Sequence, residues 1–523
     1  MSLLVKSYQD LATTVAGDEK VIELQSYNIN TLKGGGIFSA VDNSLPAIEG
    51  FRIKTRDGKT FQRQYAENVE PSLRLEDLGW TPAYNEDATE LVGKLFTLAS
   101  RAGVKAEFPK SAIVRVSNFI KIPKGLKAID GNNSFLFFYF NGNKEAGLIS
   151  DAGITGLTIK ALHIDHDRVD ERLERVIALW YIDQTDCKLF DCNINSKENH
   201  SVLCRTSKDA KEASKRFHMK NVVMFTNKKV FDDPRQNFVA DVDGTVAATA
   251  NWLENFNSPD KKGHEDYIIE DCEAWGGRYG YGLNWATGFT MKNVLGWGNM
   301  RTVSTQNDCY RNTYDGIISL QTKSAPIHFG YETGENHVKN SKVMTSVGDG
   351  QGLIHFNLGS YNNIVENTYL ENTSPTGQRW GIYLGGNLDG NVIKDVTLKS
   401  NFYEVGLMIE SDWIMNFGYG GTISRTSPIV PHVNKPSTNT KIQNLVIDSE
   451  SRSPAIQLHS GKQGLDGVIL DNVKVLGKNH SKDLDIVETE GGKARNFTFR
   501  NLSVNPDKCN FGRIDMYREF QRV

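Results

Sequence analysis

The chain is short of several things. No apolar run approaches the roughly 18 residues of a transmembrane helix. Its N-terminus, "MSLLVKSYQDLATTVAGDEK", lacks the long apolar core of a secretory signal. Charge of neither sign is in excess, with 60 Lys+Arg against 63 Asp+Glu, so the totals give no reason to expect nucleic-acid binding or membrane insertion. The six cysteines (187, 192, 204, 272, 309 and 509) form no CxxC pair. Cys187, Cys192 and Cys272 fall where related segments carry apolar residues, which predicts buried free thiols in a cytosol-assembled protein. Proline is scarce (14) and long amphipathic helical patterns are few, which argues against a helical repeat. What is abundant is Gly (47) and Asn. In 523 residues, a length that ordinarily means several domains, this composition favours a turn-rich, all-β fold.

A loose phrase recurs along the chain: apolar residue, spacer, Asn or Asp, two residues, apolar residue. Taking the Asn or Asp as origin, it stands at Asp191, Asn221, Asp271, Asn293, Asn340, Asn367, Asp395, Asn444, Asn472 and Asn501. Two residues before each origin is an apolar side chain: Leu189, Met219, Ile269, Met291, Val338, Val365, Ile393, Ile442, Leu470 and Phe499. A weaker match, "YRNTYDGI", is read with Asn312 as its origin. From Asn340 onward the intervals are 27, 28, 49, 28 and 29 residues, the long one being a repeat plus an insertion around "SRTSPIVPHVNKPSTNT". A second strand-like word follows each origin by 13 to 16 residues ("LIHFNL", "GIYLGG", "GLMIES", "AIQLHS") and alternates with period 2. Short strands, tight turns and a period near 28 describe a solenoid. The predicted fold is a right-handed, single-stranded parallel β-helix. Asn suits the turn because it tolerates the left-handed conformation and its amide can bond to the Asn of the next coil.

The start of the chain differs. Residues 1–70 read as a small β domain, and 71–104 as a linker and a helix; the β-helix follows over 105–523, with insertions near 226–264 and 412–440. In "NEDATELVGKLFTLASRAG", Asn85 is the expected N-cap and Gly103 the C-cap. Ala88, Leu91, Val92, Leu95, Leu98 and Ala102 share a face. A helix just ahead of a solenoid is expected to cap its open end.

The order "SYN…KGGGIF", then "F-x-R", then "NEDATELVGKLF…AGVKAEFP…IVRV" resembles the head and first coils of bacteriophage tailspike proteins, over residues 20 to 125. Those pectate-lyase-like β-helices typically carry "DDTAALQ…GGTVVLPAGTYRI" here; this chain has "GWTPAYNEDAT" and "PKSAI" instead of the common forms. The resemblance implies a homotrimer of the virion tail, assembled in the host cytoplasm and attached to the phage tail or baseplate by its N-terminal region. Its implied partner is a bacterial capsular polysaccharide, which it binds and cuts. It says nearly nothing about which residues are catalytic.

In a β-helix, residues at equal positions of successive coils stack about 4.8 Å apart, so outward residues form ladders. One expected ladder is His328, His355, Tyr383, Met408, Gln457; the next is Gly330, Asn357, Gly385, Glu410, His459; beyond lie Glu332, Gly359, Asn387 and Asp412. The glycines would leave a bed for a sugar chain. Trp275, Trp297 and Trp380 offer rings for sugar C–H faces, with core filling or a trimer contact as the alternative. Arg301 and Arg379 recur at the turn before the strand, suited to acidic sugars or simply solvated.

Glycosidic hydrolysis needs two carboxyls, about 5 Å apart for retention or about 6.5–9.5 Å for inversion. The candidates are Glu332 with Asp349, and Glu410 with Asp412; for each one alone, a hydrated surface carboxylate is the plain alternative. Elimination at a uronic acid needs a base and a charge-stabilising group, for which His328, His355, Tyr383 and Arg379 are candidates. No motif implies a cofactor or a metal. His163, Asp165, His166 and Asp167 match no standard zinc spacing, and Asp241 with Asp243 is half a calcium loop without its later Glu.

Overall fold

The computed structural model describes residues 2–29, 33–82, 86–139, 145–166, 175–196, 200–207, 210–226, 236–242, 263–306, 308–330, 333–347, 351–357, 359–375, 377–411, 436–488, 491–512 and 516–520. They form two compact units, Met1–Val202 with Phe217–Val222, and Leu203–Arg216 with Val223–Val523.

The first unit begins with a five-stranded sheet. Ser2–Ser7 pairs in parallel with Val21–Ser26, and Gly34–Val41, Thr60–Arg63 and Arg52–Lys54 follow antiparallel. Alternating residues Val5, Ile22, Leu24, Phe38, Ile53 and Phe61 form its core. The triple glycine and the F-x-R arginine belong to one device. Arg63, buried over the Phe38 ring, donates to the carbonyls of Gly34, Gly35 and Gly50 and pairs with Asp77 at 3.0 Å. A Cβ on Gly36 would stand 2.5 Å from the guanidinium, so the glycine makes room for it.

The helix, α1, spans Thr89–Ala102. Asn85 lies outside the described residues. The orphan N–H of Thr89 is taken by Asp87 Oδ1 at 2.9 Å, and Gly103 closes the far end at φ +69°. The buried face is Ala88, Val92, Leu95, Phe96, Leu98 and Ala99, packed on Lys105–Glu107 and Ile120–Ile122. Phe96 and Ala99 thus take the core places expected of Leu91 and Ala102, which are half-buried. Parallel coils follow: Ala128–Phe138 lies over Lys105–Glu107 and Ile113–Val116, and Thr158–His166 over Ala128–Phe138.

The second unit is a parallel β-helix. One of its sheets runs Tyr279–Asn284, Arg301–Gln306, Ile327–Phe329, Ile354–Phe356, Gln378–Gly385, Phe402–Glu410, Ile456–His459 and Leu484–Val487, each strand paired in parallel with the next. A second joins His337–Thr345, Ile364–Asn372, Val392–Ser400 and Lys441–Asp448 in unbroken register.

The repeated phrase has the physical basis expected of it. All ten origin residues have positive φ, between 46° and 57°. All ten apolar residues two places earlier are buried. Origin amides bond between coils: Asn367 Nδ2 donates to Asn340 Oδ1 at 2.7 Å, and Asn472 Nδ2 to Asn444 Oδ1 at 2.8 Å. The weak match is corrected. Register places Tyr314 with Met291 and Asp315 with Lys292, so the origin of that coil is Gly316, at φ +75°, and not Asn312.

Asn312 belongs to a second, fully buried ladder four residues ahead of the origins. Asn312, Asn336, Asn363 and Asn391 pass Nδ2 hydrogen bonds to the next Oδ1 at 2.9, 2.9 and 3.0 Å. Each Nδ2 also reaches a carbonyl of the preceding coil, those of Ala286, Cys309, Thr333 and Ser360. Each Oδ1 from Asn336 onward also takes a backbone N–H. This stack satisfies its polar groups inside the solenoid, where an unpaired amide is costly.

Candidate active site

Most of the candidate residues that the structure describes lie on one face of the first sheet of the second unit. Parallel register aligns Ser304, His328, His355, Tyr383, Met408 and Gln457 in one column, the expected ladder extended by Ser304. Their neighbours point the other way into the core, such as Ile327, Phe329, Ile354, Phe356, Ile382 and Leu384. The rings stack along the column, with centroids 5.6 Å apart for His328 and His355 and 4.6 Å for His355 and Tyr383. Trp380 lies 4.2 Å from Tyr383, and the Arg379 guanidinium sits over Trp380 at 4.2 Å while pairing with Glu404 at 2.7 Å.

Glu410 follows Gly385 in the adjacent column, with His459 after it. Its carboxylate is 3% exposed, accepts a short hydrogen bond from the Tyr383 hydroxyl, and has His459 Nδ1 at 3.7 Å. Burial, then the charge of Glu410, holds the Tyr383 phenol well above its usual pKa, so it is a proton-bearing donor. Gly385 is not a bed for sugar. A Cβ there would lie 2.2 Å from the Tyr383 hydroxyl, so the missing side chain lets the ring lie along the strand to reach Glu410.

At the other end, Arg301 Nη1 lies 3.3 Å and Ser304 Oγ 3.1 Å from His328 Nδ1. The Asn357 amide bridges the two imidazoles, 2.9 Å from His328 Nε2 and 2.7 Å from His355 Nε2. Burial, and then Arg301, push His328 well below the usual histidine pKa and His355 down to about 3, so both rings are neutral.

Eight of the residues singled out from sequence therefore meet: Arg301, His328, His355, Asn357, Arg379, Trp380, Tyr383 and Glu410. Trp275 and Trp297 do not join them; they sit edge to face at 4.6 Å on another sheet, in register with Leu320. Glu332, Asp349 and Asp412 lie outside the described residues, as do Asp167 and Asp243. His163 and His166 are engaged elsewhere: His163 Nδ1 accepts from the Asn193 N–H and His166 Nδ1 meets the Asn195 carbonyl, both at 3.0 Å.

The buried polar atoms of this region without a hydrogen-bond partner among the described residues include His355 Nδ1, Trp380 Nε1 and both amide atoms of Asn387. Each such atom left unpaired costs about 1–3 kcal/mol. Ser304, Asn387 and His459 were not among the residues singled out as site candidates. For Ser304 and His459 the available signal is the register itself, since each stands one coil from a candidate, His328 and Glu410.

No protein-family model and no curated protein matches the chain. Among solved structures it is similar to the A-module of mannuronan C-5 epimerase AlgE6 of Azotobacter vinelandii, at 12% identity over 82% of this chain and 98% of that one, with a TM-score of 0.49. It is similar also to the gp42 tailspike of Acinetobacter phage vb_AbaP_AS12, at 12% identity over 92% and 75%, TM-score 0.46. A third is the enzymatically active domain of tailspike protein 4 of bacteriophage CBA120, at 12% identity, TM-score 0.38; the match covers 91% of this chain and 53% of that domain. Tailspikes, the kind of protein the sequence resembles, recur among these structures, and the likeness is one of backbone course.

Proposed function

We propose that the protein is a phage tailspike that binds and depolymerises a bacterial capsular or other surface polysaccharide. The observation that supports this most is a buried carboxylate, Glu410, held by a protonated tyrosine amid stacked rings on the outer face of a β-helix. In this reading Glu410 is one carboxyl of a hydrolytic pair with Asp412, and Glu332 with Asp349 is the other candidate pair. Trp380, Arg379, Arg301, His328, His355, Asn357 and Tyr383 bind the saccharide, and Trp275 and Trp297, on another sheet, take no part in this contact. The active particle is a homotrimer whose first 70 residues face the phage tail or baseplate and whose β-helix from residue 105 meets the bacterial surface.

A second chemistry is favoured by a specific observation. Two neutral imidazoles and a guanidinium beside a tyrosine suit β-elimination at a uronic acid, where a base removes the C5 proton and a cation holds the carboxylate. Purified protein incubated with capsule from a susceptible strain separates the readings. New reducing ends without new ultraviolet absorbance mean hydrolysis; added absorbance of an unsaturated uronate means elimination. Capsule of unchanged length would sink the enzyme reading and leave a receptor-binding spike.

A further inference from the structure

We propose that Arg301, acting through His328 and Asn357, fixes the tautomer of His355, so that His355 Nδ1–H is a buried donor for an acceptor oxygen of the bound saccharide. The argument follows the protons. A guanidinium only donates, so the ring nitrogen 3.3 Å from Arg301 Nη1, His328 Nδ1, must carry the lone pair. Ser304 Oγ, 3.1 Å from the same nitrogen, then donates to it as well. The His328 proton is therefore on Nε2; Asn357 Nδ2 stands 2.9 Å from that nitrogen, so the amide must turn end for end, an exchange of near-isosteric groups, to present its carbonyl oxygen there. Turned so, the amide sets its NH2 where Oδ1 stands 2.7 Å from His355 Nε2 and makes that nitrogen an acceptor. A neutral imidazole has one proton, which leaves it on His355 Nδ1.

The opposite amide orientation sets an N–H against the His328 Nε2–H and loses that bond. The direction of the string is thus set by the one group in it that cannot reverse, Arg301. Its far end, His355 Nδ1, is buried without a partner among the described residues. Burial beside Arg301 and Arg379 keeps His355 neutral, with a pKa of about 3, so the string does not reset by taking a second proton near neutral pH. Arg301, His328 and Asn357 are on this account positioning residues, and His355 is the contact.

Only the identity of the acceptor rests on the polysaccharide reading. Long-range 15N–1H spectra of the full chain with 15N-labelled histidine test the string directly. His328 is expected as the Nε2–H tautomer and His355 as Nδ1–H at neutral pH; His355 protonated at Nε2, or either ring cationic, would overturn the proposal. Arg301→Lys, still a pure donor, should keep both tautomers, whereas Arg301→Gln should let them mix; a merely structural arginine would move neither. For the contact, His355→Asn places an N–H near the Nδ1 position and His355→Gln near Nε2. With capsule from a susceptible strain, the Asn variant should keep about tenfold more depolymerising activity than the Gln variant. Equal loss in both would refute the donor role. If no capsule is shortened by the wild type while the tautomers are as stated, the polysaccharide reading fails and the string stands.

Discussion

Two buried arginine clusters of this molecule have opposite bookkeeping. Around Arg63, three carbonyls and the Asp77 carboxylate receive the guanidinium, and Asp77 also takes the backbone N–H and guanidinium of Arg74. Around Arg301, the string of His328, Asn357 and His355 ends on an atom without a partner among the described residues, and Trp380 and Asn387 add three more such atoms. The first arrangement closes on itself and can only hold the chain together. The second keeps unspent hydrogen-bonding capacity under burial, which lowers stability and is what recognition of a polar ligand requires.

The contrast breaks most sharply at Arg63. Arg63→Ala strands Asp77 and three carbonyls, and about 3–5 kcal/mol of local stability should go with them. Hydrogen exchange in Gly34–Val41 checks this in the full chain; protection unchanged from wild type would show the cluster to be unimportant. Glu410→Gln should do the reverse, leaving the melting temperature within about 2 °C while capsule cleavage falls about a hundredfold or more, measured as reducing ends. A variant that cuts normally removes Glu410 from the chemistry.

The buried asparagine stack belongs with Arg63. Asn363→Ala leaves Asn336 Nδ2 and the N–H of Asn336 without their acceptor, and a loss of about 2–3 kcal/mol is expected in chemical denaturation. Asn367→Gly, on the outer ladder where water replaces the bond, should lose less than about 1 kcal/mol. Equal losses would mean that burial does not distinguish the two ladders.

Acid sharpens the contrast from the other side. Unfolded histidines take up protons near pH 6.5, while folded His355 does so only at about 3 and His328 is likewise held down. Between those values the unfolded state binds more protons, so these rings make stability fall as pH drops from about 6.5 toward 3. The charged groups that face His355 are Arg301 and Arg379, and those facing His328 are Arg301 and Arg278, with the neutral, titratable His355 ring beside it. His355→Asn should flatten the pH dependence of the melting temperature over that interval; an unchanged slope would contradict the depressed pKa. The smallest effect is expected at Asn387, whose φ of +48° glycine also adopts. Asn387→Gly should leave stability within about 0.5 kcal/mol while weakening retention of capsular polysaccharide, since it removes two polar atoms that have no partner among the described residues.

Much of the scaffold was legible in the sequence, and the reason is repetition. Each origin residue needs a left-handed turn and each residue two places earlier needs burial, and these demands recur coil after coil, so they print a rhythm. The buried stack was equally periodic, with Asn336, Asn363 and Asn391 each four residues ahead of an origin. It is hidden in the sequence because "YRNTYDGI" offers Asn312 as a plausible origin where the turn is made by Gly316. Of the site, the columns were legible because they follow from register alone. What was not legible is how side chains use them: Tyr383 reaching across Gly385 to Glu410, or Asn357 lying between two histidines.

By itself, then, the sequence determined the coil, its period and which residues share a face, because backbone conformation and burial are set by local residue type and recur. Only the tertiary structure decided that His328, His355 and Asn357 form one directed string and that Tyr383 serves Glu410. Those bonds join residues about one coil apart, and their partners depend on distances of a few tenths of an ångström that no local pattern encodes.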